Sequence, residues 1–548
     1  MRIKKAAALI LSALLCAGIF AGCNTGSTSS TATPSSEASS TADSSAASSE
    51  GESASEEAST ESTDTGERAV ITFMGINYTT TPFSSEGADQ VLAKMEEYTN
   101  TKVEFTWVPN DSYKEKLGVT LMSADNMPMI LTVGEMNATV IQAAKAGAFW
   151  NLNDYMFDSA KYPNLSQANA DVNSQMVVDG QLIGIYRARP IGRNGIGYRK
   201  DWADKLGLGE PETIEDLYNM CKAFTEQDPD GDGVDNTYGI ALCKYTAPLD
   251  MIQVWFGAGN KWVEQDGQLI PSHTTAEWKE AADWSRKMYD EGLVYKDWAV
   301  RDPNTWSDSI RNGECGIMLS VLDDSRRNWD YFVANEISSV TGDGFASIGL
   351  RGTLSKEAGG EQSVMATSGM NGFFAITKAA KTEEELANCL HFLDKMNDNE
   401  MLVLADYGLE GEATGWDFDE DGFIVMNDPS IQAETRPQHG ANQTLAYIPN
   451  LASTDPVLKQ SERVELEMSI KEANEPYSIF NPAAGYLSNS ETYGVNGANL
   501  DQILEDARTQ YICGQIDEAG LEAAFANWAT QGGDKVIEEV NALYQADK

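Results

Sequence analysis

The hydrophobic and polar positions divide the chain into blocks of different period. From Arg68, "RAVITFMGINY" reads as a strand, "ADQVLAKMEEYTN" as a helix and "KVEFTWVP" as a second strand. A strand–helix–strand opening predicts a parallel α/β layer. "NATVIQAAKAGAFWNLNDYM" adds a helix and a turn. After "DGQLIGIYRARPIGRNGIGYRKDW" the pattern turns helical. In "TIEDLYNMCKAF", Ile214, Leu217, Cys221 and Phe224 recur at helical spacing, which predicts one buried stripe, with Thr213 as N-cap and Asp216 in the reciprocal position. "TAEWKEAADWSRKMYDEGLV" is a further helix, with Ala281, Trp284 and Met288 on one face. "NGECGIMLSV" and "NGFFAITKAA" are strands. The helix after the second opens with a Thr382–Glu385 capping box and buries Leu386, Cys389, Leu390 and Leu393. The last hundred residues are mostly helical. The chain leaves an α/β region near 190 and returns to one near 370, which predicts two lobes joined by more than one crossover.

The N-terminus follows different rules. Arg2, Lys4 and Lys5 precede the apolar run "AAALILSALLCAGIFAG", a basic segment and short apolar core that reads as a secretory signal over residues 1–22. The run is too short and wrongly flanked for a stable transmembrane helix. It ends "IFAGC", which resembles a bacterial lipobox; that resemblance implies lipidation of Cys23, although Phe20 stands where leucine is commoner. Residues 23–66 are then almost entirely Ser, Thr, Ala, Glu, Asp and Gly. Such a segment buries too little apolar surface to offset ordering entropy and is expected to be a disordered tether. It would span on the order of 35 Å root-mean-square. The folded body, residues 67–548, would therefore stand beside a membrane on its outer face, with the acyl chains supplying the affinity.

Charge and cysteine content narrow the classes. The net charge is −45, and phosphate binding needs a basic footprint, so nucleic acid is a poor partner. Outside Cys16 and Cys23, five scattered cysteines remain with no C-x-x-C spacing. They read as small buried hydrophobes rather than zinc or thiol-redox ligands.

"DPDGDGVDNTYG" (228–239) begins like a calcium loop: Asp228, Asp230 and Asp232 at alternate positions, then Gly233. Val234 would supply a backbone carbonyl and Asn236 a side-chain oxygen, suiting a hard cation that takes six to eight oxygens. The twelfth position, where an EF-hand has an acid, is Gly239. The expected ion is a structural Ca²⁺; the plainer alternative is a solvated acidic turn. "DFDEDG" (417–422) has similar spacing, with Asp428 at the twelfth position.

The stretch "YRKDWADKLGLGEPETIEDLYNMCKAFTEQDPDGDGVDNTYGI" (198–240) resembles the extracellular solute-binding lipoproteins of family 1, the sugar-type receptors of ABC importers. "WSRKMYDEGLVYKDW" (284–298), "NGECGIM" (312–318), "ADYGLEGEATGWDFDEDG" (405–422) and the C-terminal "QYICGQIDEAGLEAAFANWATQGGDKVIEEVNALYQ" match in order. The resemblance covers nearly all of 68–548. It implies a two-lobed periplasmic-binding-protein type II fold with hinge crossovers and additional C-terminal helices. Lobe 1 would comprise about 67–187 and lobe 2 about 190–368, each with part of 370–548. The resemblance places a hairpin turn at 417–422, so those residues are left out of the metal set. It also implies a monomer that delivers a carbohydrate, an oligosaccharide by expectation, to two permease subunits, without catalysis. A sugar cleft needs aromatic faces and hydroxyl partners between the lobes. Trp255 and Trp262 in "VWFGAGNKW", Trp306 in "DPNTWSD" and Trp416 in "GEATGWDFD" occupy non-periodic settings and are the stacking candidates. Trp202, Trp278, Trp284 and Trp528 lie on helices and are assigned to the core. Tyr78, Glu135 and Asn137 follow strand ends, where open α/β sheets meet ligands. Arg187 is a further candidate, and the basic residues from 187 to 200 keep an acidic saccharide open.

Two alternatives stay open. A surface-anchored glycosidase or polysaccharide lyase would use a carboxylate pair that sequence cannot reveal; a calcium-dependent adhesin would use the acidic loop alone. A nucleophilic triad would need His273, His391 or His439, and no G-x-S-x-G, H-E-x-x-H or Walker loop is present.

Overall fold

The computed structural model describes residues 68–77, 82–83, 88–123, 126–431 and 460–548. The expected signal peptide (1–22), Cys23, the expected tether (23–66), Tyr78 and His439 lie outside the described residues.

Strand β1 (Ala69–Asn77) pairs in parallel with β2 (Thr101–Pro109), Phe73 beside Phe105, and α1 (Ala88–Tyr98) joins them. After α2 (Asn110–Met122), β3 (Ile130–Val133) adds a third parallel strand, and α3 (Ala138–Lys145) leads towards β4 (Ile185–Ala188). The second lobe begins with β5 (Asn194–Arg199), α4 (Lys200–Leu206), α5 (Ile214–Glu226), β6 (Tyr238–Ala241) and α6 (Ala247–Trp255). It continues through the hairpin β7 (Trp262–Gln265) and β8 (Gln268–Pro271), α7 (Ala276–Asp290), β9 (Cys315–Val321), α8 (Leu322–Ala334) and β10 (Ile348–Arg351). The chain then returns with β11 (Met370–Ile376), α9 (Glu383–Lys395), α10 (Asn399–Tyr407) and the hairpin β12 (Trp416–Phe418) and β13 (Ile424–Met426). Helices α11 (Glu462–Asn474), α12 (Ala484–Asn489), α13 (Glu491–Ile512), α14 (Glu518–Trp528) and α15 (Asp534–Asp547) follow.

The first lobe's sheet has the order β2-β1-β3-β11-β4 and the second lobe's β10-β5-β9-β6. The strand that returns from the second lobe, β11, runs antiparallel to both β3 and β4. Its amino end therefore lies at the carboxyl end of β3. A bulge at Met370–Phe373 bends it there, and Gly372 takes a φ of 74° where an added Cβ would lie 2.3 Å from the Val133 carbonyl oxygen. Each sheet has its own core. Ile71, Phe73, Leu131 and Phe374 centre the first, Trp202, Phe224, Ile317 and Leu319 the second. The stripes read from helical spacing are buried in place, and both capping boxes form. The five cysteines of the described residues are free thiols, four of them buried.

Extended segments cross between the lobes and bond to one another. The Arg189 N–H donates to Gly369 O at 2.9 Å and the Thr367 N–H to Ile191 O at 3.1 Å. Val364 and Met365 pair in parallel with Ser478 and Ile479, so a third segment joins the bundle. The Asn474 side-chain amide donates to the carbonyls of Gly192 and Asn194, which ties α11 to the first crossing.

Candidate functional site

Five parts of the fold converge on one cavity of about 470 Å³. The first lobe contributes the carboxyl end of β3, residues 134–136, and the bulge of β11. The second contributes α6 and the β7–β8 hairpin, and the C-terminal helices close the remaining side. One wall is aromatic. Trp262 opens β7, Trp278 lies in the first turn of α7 and Trp528 ends α14. Between them His273 packs its ring 4.6 Å from Trp528 and 4.8 Å from Phe525. Burial lowers its pKa to about 4, so the imidazole is neutral near pH 7.

Other lining residues are polar. Asp250 and Gln253, three residues apart on one face of α6, both receive Nη1 of buried Arg508, at 2.7 and 3.2 Å. Gln253 in turn donates to Gly259 O, which holds it in place. The Tyr493 hydroxyl donates to Asp501 at 2.7 Å. Crowding by protein raises the Asp501 pKa, partly offset by that hydrogen bond and by Lys261. The side-chain amides of Gln175, Asn371 and Asn481 add donors and acceptors. Apolar ring faces and fixed hydrogen-bonding groups in one cavity suit a polyhydroxylated ligand, whose C–H faces stack and whose O–H groups bond.

Of the residues chosen from sequence, Glu135 and Trp262 line this cavity, and Glu135 also pairs with Lys114 at 2.8 Å. The others sit elsewhere. Asn137 caps α3, its Oδ1 accepting from the N–H groups of Thr139 and Val140. Arg187 is 1% exposed and donates to the Asn371 carbonyl. Trp255 ends an apolar helix and packs in the second lobe's core. Trp306 does likewise, its indole N–H donating to Ala241 O at 2.9 Å. Trp416 is buried at the β12–β13 hairpin, bonded to Tyr407 O. Glycine neighbours in sequence therefore did not distinguish a cleft face from a core ring, and Trp255, Trp306 and Trp416 are corrected to core packing. Conversely, Trp278 and Trp528, assigned to the core, are buried and line the cavity as well. Sequence reasoning also missed Asp250, Arg508, Tyr493 and Asp501, because three of the four come from α13, more than two hundred residues from α6. The one available signal was Asp250 interrupting the otherwise apolar start of α6; α13 mixes polar and apolar residues along its length and offered none.

The acidic loop folds back on itself. Ligand oxygens of Asp228, Asp230 and Asp232 lie within 4.8 Å of one another, the only such acidic cluster among the described residues. Asp228 accepts from the Gly231 and Gly233 N–H groups, and Lys205 holds the carbonyls of Asp228 and Pro229. Burial and a hydrogen bond shared with Asp228 raise the Asp230 pKa. The Asn236 side-chain N–H donates to Asp232 at 3.1 Å, which holds this side chain beside the cluster. The donor set fits a hard cation. Gly239 explains why the loop ends early: a Cβ there would lie 2.6 Å from that of Cys221, so β6 can pack on α5 only with glycine at the twelfth position. The 417–422 turn joins β12 to β13, with Asp419 accepting from the N–H groups of Asp421 and Phe423.

Comparison with known proteins agrees with this geometry. Residues 83–348 match the family model for the bacterial extracellular solute-binding protein. Lipoprotein LipO of Bacillus subtilis is 35% identical over 480 residues, 85% of this chain and 91% of that protein. The polygalacturonan/rhamnogalacturonan-binding protein YtcQ of the same organism is 31% identical over 469 residues, covering 84% and 89%. Among solved structures, an HMO-binding, ABC-transporter-associated solute-binding protein of Bifidobacterium longum infantis superposes with a TM-score of 0.63 at 17% identity, covering 87% of this chain and 98% of that one. The chain belongs to the bacterial extracellular solute-binding protein family.

Proposed function

We propose that this chain is the substrate-binding component of an ABC importer, and that it captures an oligosaccharide between its lobes and delivers it to permease subunits unchanged. One observation carries the reading: a cavity between the lobes sets Trp262, Trp278 and Trp528 against the Asp250–Arg508–Gln253 and Tyr493–Asp501 groups. The saccharide-binding relative YtcQ supports the ligand class. The protein acts as a monomer on the outer face of the membrane, held by a lipid on Cys23; the lipobox-like "IFAGC" and the lipoprotein relative LipO support that anchor. Among the described residues no helix is long and apolar enough to cross a membrane.

The acidic loop holds a structural Ca²⁺ through Asp228, Asp230, Asp232, the Val234 carbonyl and Asn236. The convergence of the three carboxylates supports this. When bound, the ion supplies positive charge that pins the loop between α5 and β6, far from any chemistry.

Calorimetric titration of the purified protein with a panel of oligosaccharides, with chromatography of each glycan afterwards, tests the reading. Saturable 1:1 binding with intact glycan is expected. Cleavage of the bound glycan would instead make the protein a glycosidase or lyase.

A further inference from the structure

This inference rests on the reading of the inter-lobe cavity as a saccharide site. We infer that the saccharide is uncharged, unlike the polygalacturonan/rhamnogalacturonan that the relative YtcQ binds, and that Asp501 and Glu505 of α13 are the residues that reject uronate-bearing chains.

Four carboxylates border the cavity, those of Glu135, Asp250, Asp501 and Glu505, with two cations, Lys261 and Arg508; Glu135 is paired with Lys114 from outside the lining, which leaves three carboxylates facing the two cations. Arg508 is not available to an acidic ligand. It is buried, and its charge is matched by Asp250 at 2.7 Å. Lys261 alone of the two has no ion-pair partner, and it lies within electrostatic reach of Asp501. The basic residues between 187 and 200, which in sequence left an acidic sugar open, are committed elsewhere. Arg193 forks onto Asp323, Arg199 onto Asp201, and Lys200 pairs with Asp204. None of them borders the cavity.

The acids on α13 are the reverse. Asp501 gives one oxygen to the Tyr493 hydroxyl and has no protein donor on the other. Glu505 follows four residues later, on the same face of the helix, and makes no ion pair or hydrogen bond. A carboxylate accepts hydrogen bonds from sugar hydroxyls. The carboxylate of a uronate replaces a hydroxyl donor with a group that offers no proton at neutral pH and adds a like charge, which in a partly desolvated cleft is a selective penalty. Neutral His273 offers no compensating charge.

The test titrates the full chain with matched pairs of neutral and uronic oligosaccharides: galactan against galacturonan, mannan against mannuronan and cellulose against cellouronan fragments of equal length. At least one neutral member is expected to bind about tenfold or more tightly than its uronate partner. Raising the salt concentration should narrow that gap by screening the repulsion. The Asp501→Asn/Glu505→Gln double variant should narrow it further. Glu505→Gln alone disturbs no pair and serves if the double variant folds poorly. Tighter binding of any uronate than of its neutral partner overturns the inference while leaving the saccharide site intact. An unchanged gap in a folded variant removes the role given to these two residues. Failure of every glycan to bind refutes the saccharide reading itself.

Discussion

His273 illustrates how a residue's environment decides its chemistry. Packed against Phe525 and Trp528, it is held neutral down to about pH 4, against an ordinary value of 6.5. The folded pKa lies below the unfolded one, so the unfolded state binds more protons between those values. Stability from the neutral ring is complete above about pH 6.5 and is lost as the pH falls towards 4. Replacing it with Phe should flatten that part of the stability–pH curve by on the order of 2 kcal/mol, measured by urea denaturation at pH 7 and pH 4.5. The tryptophans make the same point about position. Trp262→Ala should weaken glycan binding tenfold or more, about 1.4 kcal/mol or above. Trp255→Ala should instead cost about 3–5 kcal/mol of stability through a core cavity, with affinity per folded molecule unchanged. Calorimetry and chemical denaturation on the same two proteins separate these outcomes. Both residues stand in "VWFGAGNKW", and seven positions of sequence do not say which ring meets the cleft.

Among the elements outside the cleft, α8 holds a buried carboxylate and the acidic loop holds partly buried and exposed ones. Asp323, in the first turn of α8, meets Arg193 of the first crossing in a two-bond fork at 2.7 and 2.8 Å. Burial opposes its ionisation, yet Arg193, Lys471 and Arg327 outweigh burial and hold it well below the usual carboxylate range. Asp323→Asn should leave those cations underpaired and destabilise the protein by about 2–3 kcal/mol. The difference from wild type should be full above the ordinary carboxylate pKa of about 4 and vanish as the pH falls below it. In the loop, Ca²⁺ at a hundredfold excess over its dissociation constant should stabilise the fold by about 2.7 kcal/mol. The gain should appear as a higher melting temperature that EDTA reverses, that Asp230→Asn abolishes and that Mg²⁺, which demands tight octahedral geometry, reproduces poorly. A melting curve indifferent to Ca²⁺ would return the loop to a solvated turn. At this scale the sequence was most readable. Capped helices and their stripes follow from local spacing, which the tertiary contacts only had to accept.

For the whole molecule, the crossings matter more than any helix. Three extended segments, held by Arg189–Gly369, Thr367–Ile191 and the Val364–Ser478 pairing, join the lobes beside the cavity. Such segments absorb backbone rotation while the lobes move as bodies. Saturating glycan should therefore reduce the radius of gyration by on the order of 1 Å in small-angle scattering, with little change in secondary structure. An unchanged radius on binding would mean that the cleft is already closed.

The sequence by itself determined the elements, their caps, the alternation of α/β and helical regions that makes two lobes, and the acidic loop, because each depends on residues a few positions apart. Only the tertiary structure decided the site. Glu135, Asp250, Trp262 and Asp501 belong to four separate parts of the chain, and the return of β11 beside β3 and the packing of α13 against α7 bring them to one cavity. Hydrophobic spacing specifies which face of a helix is buried, but not whether the far side of that buried face belongs to a core or to a cleft.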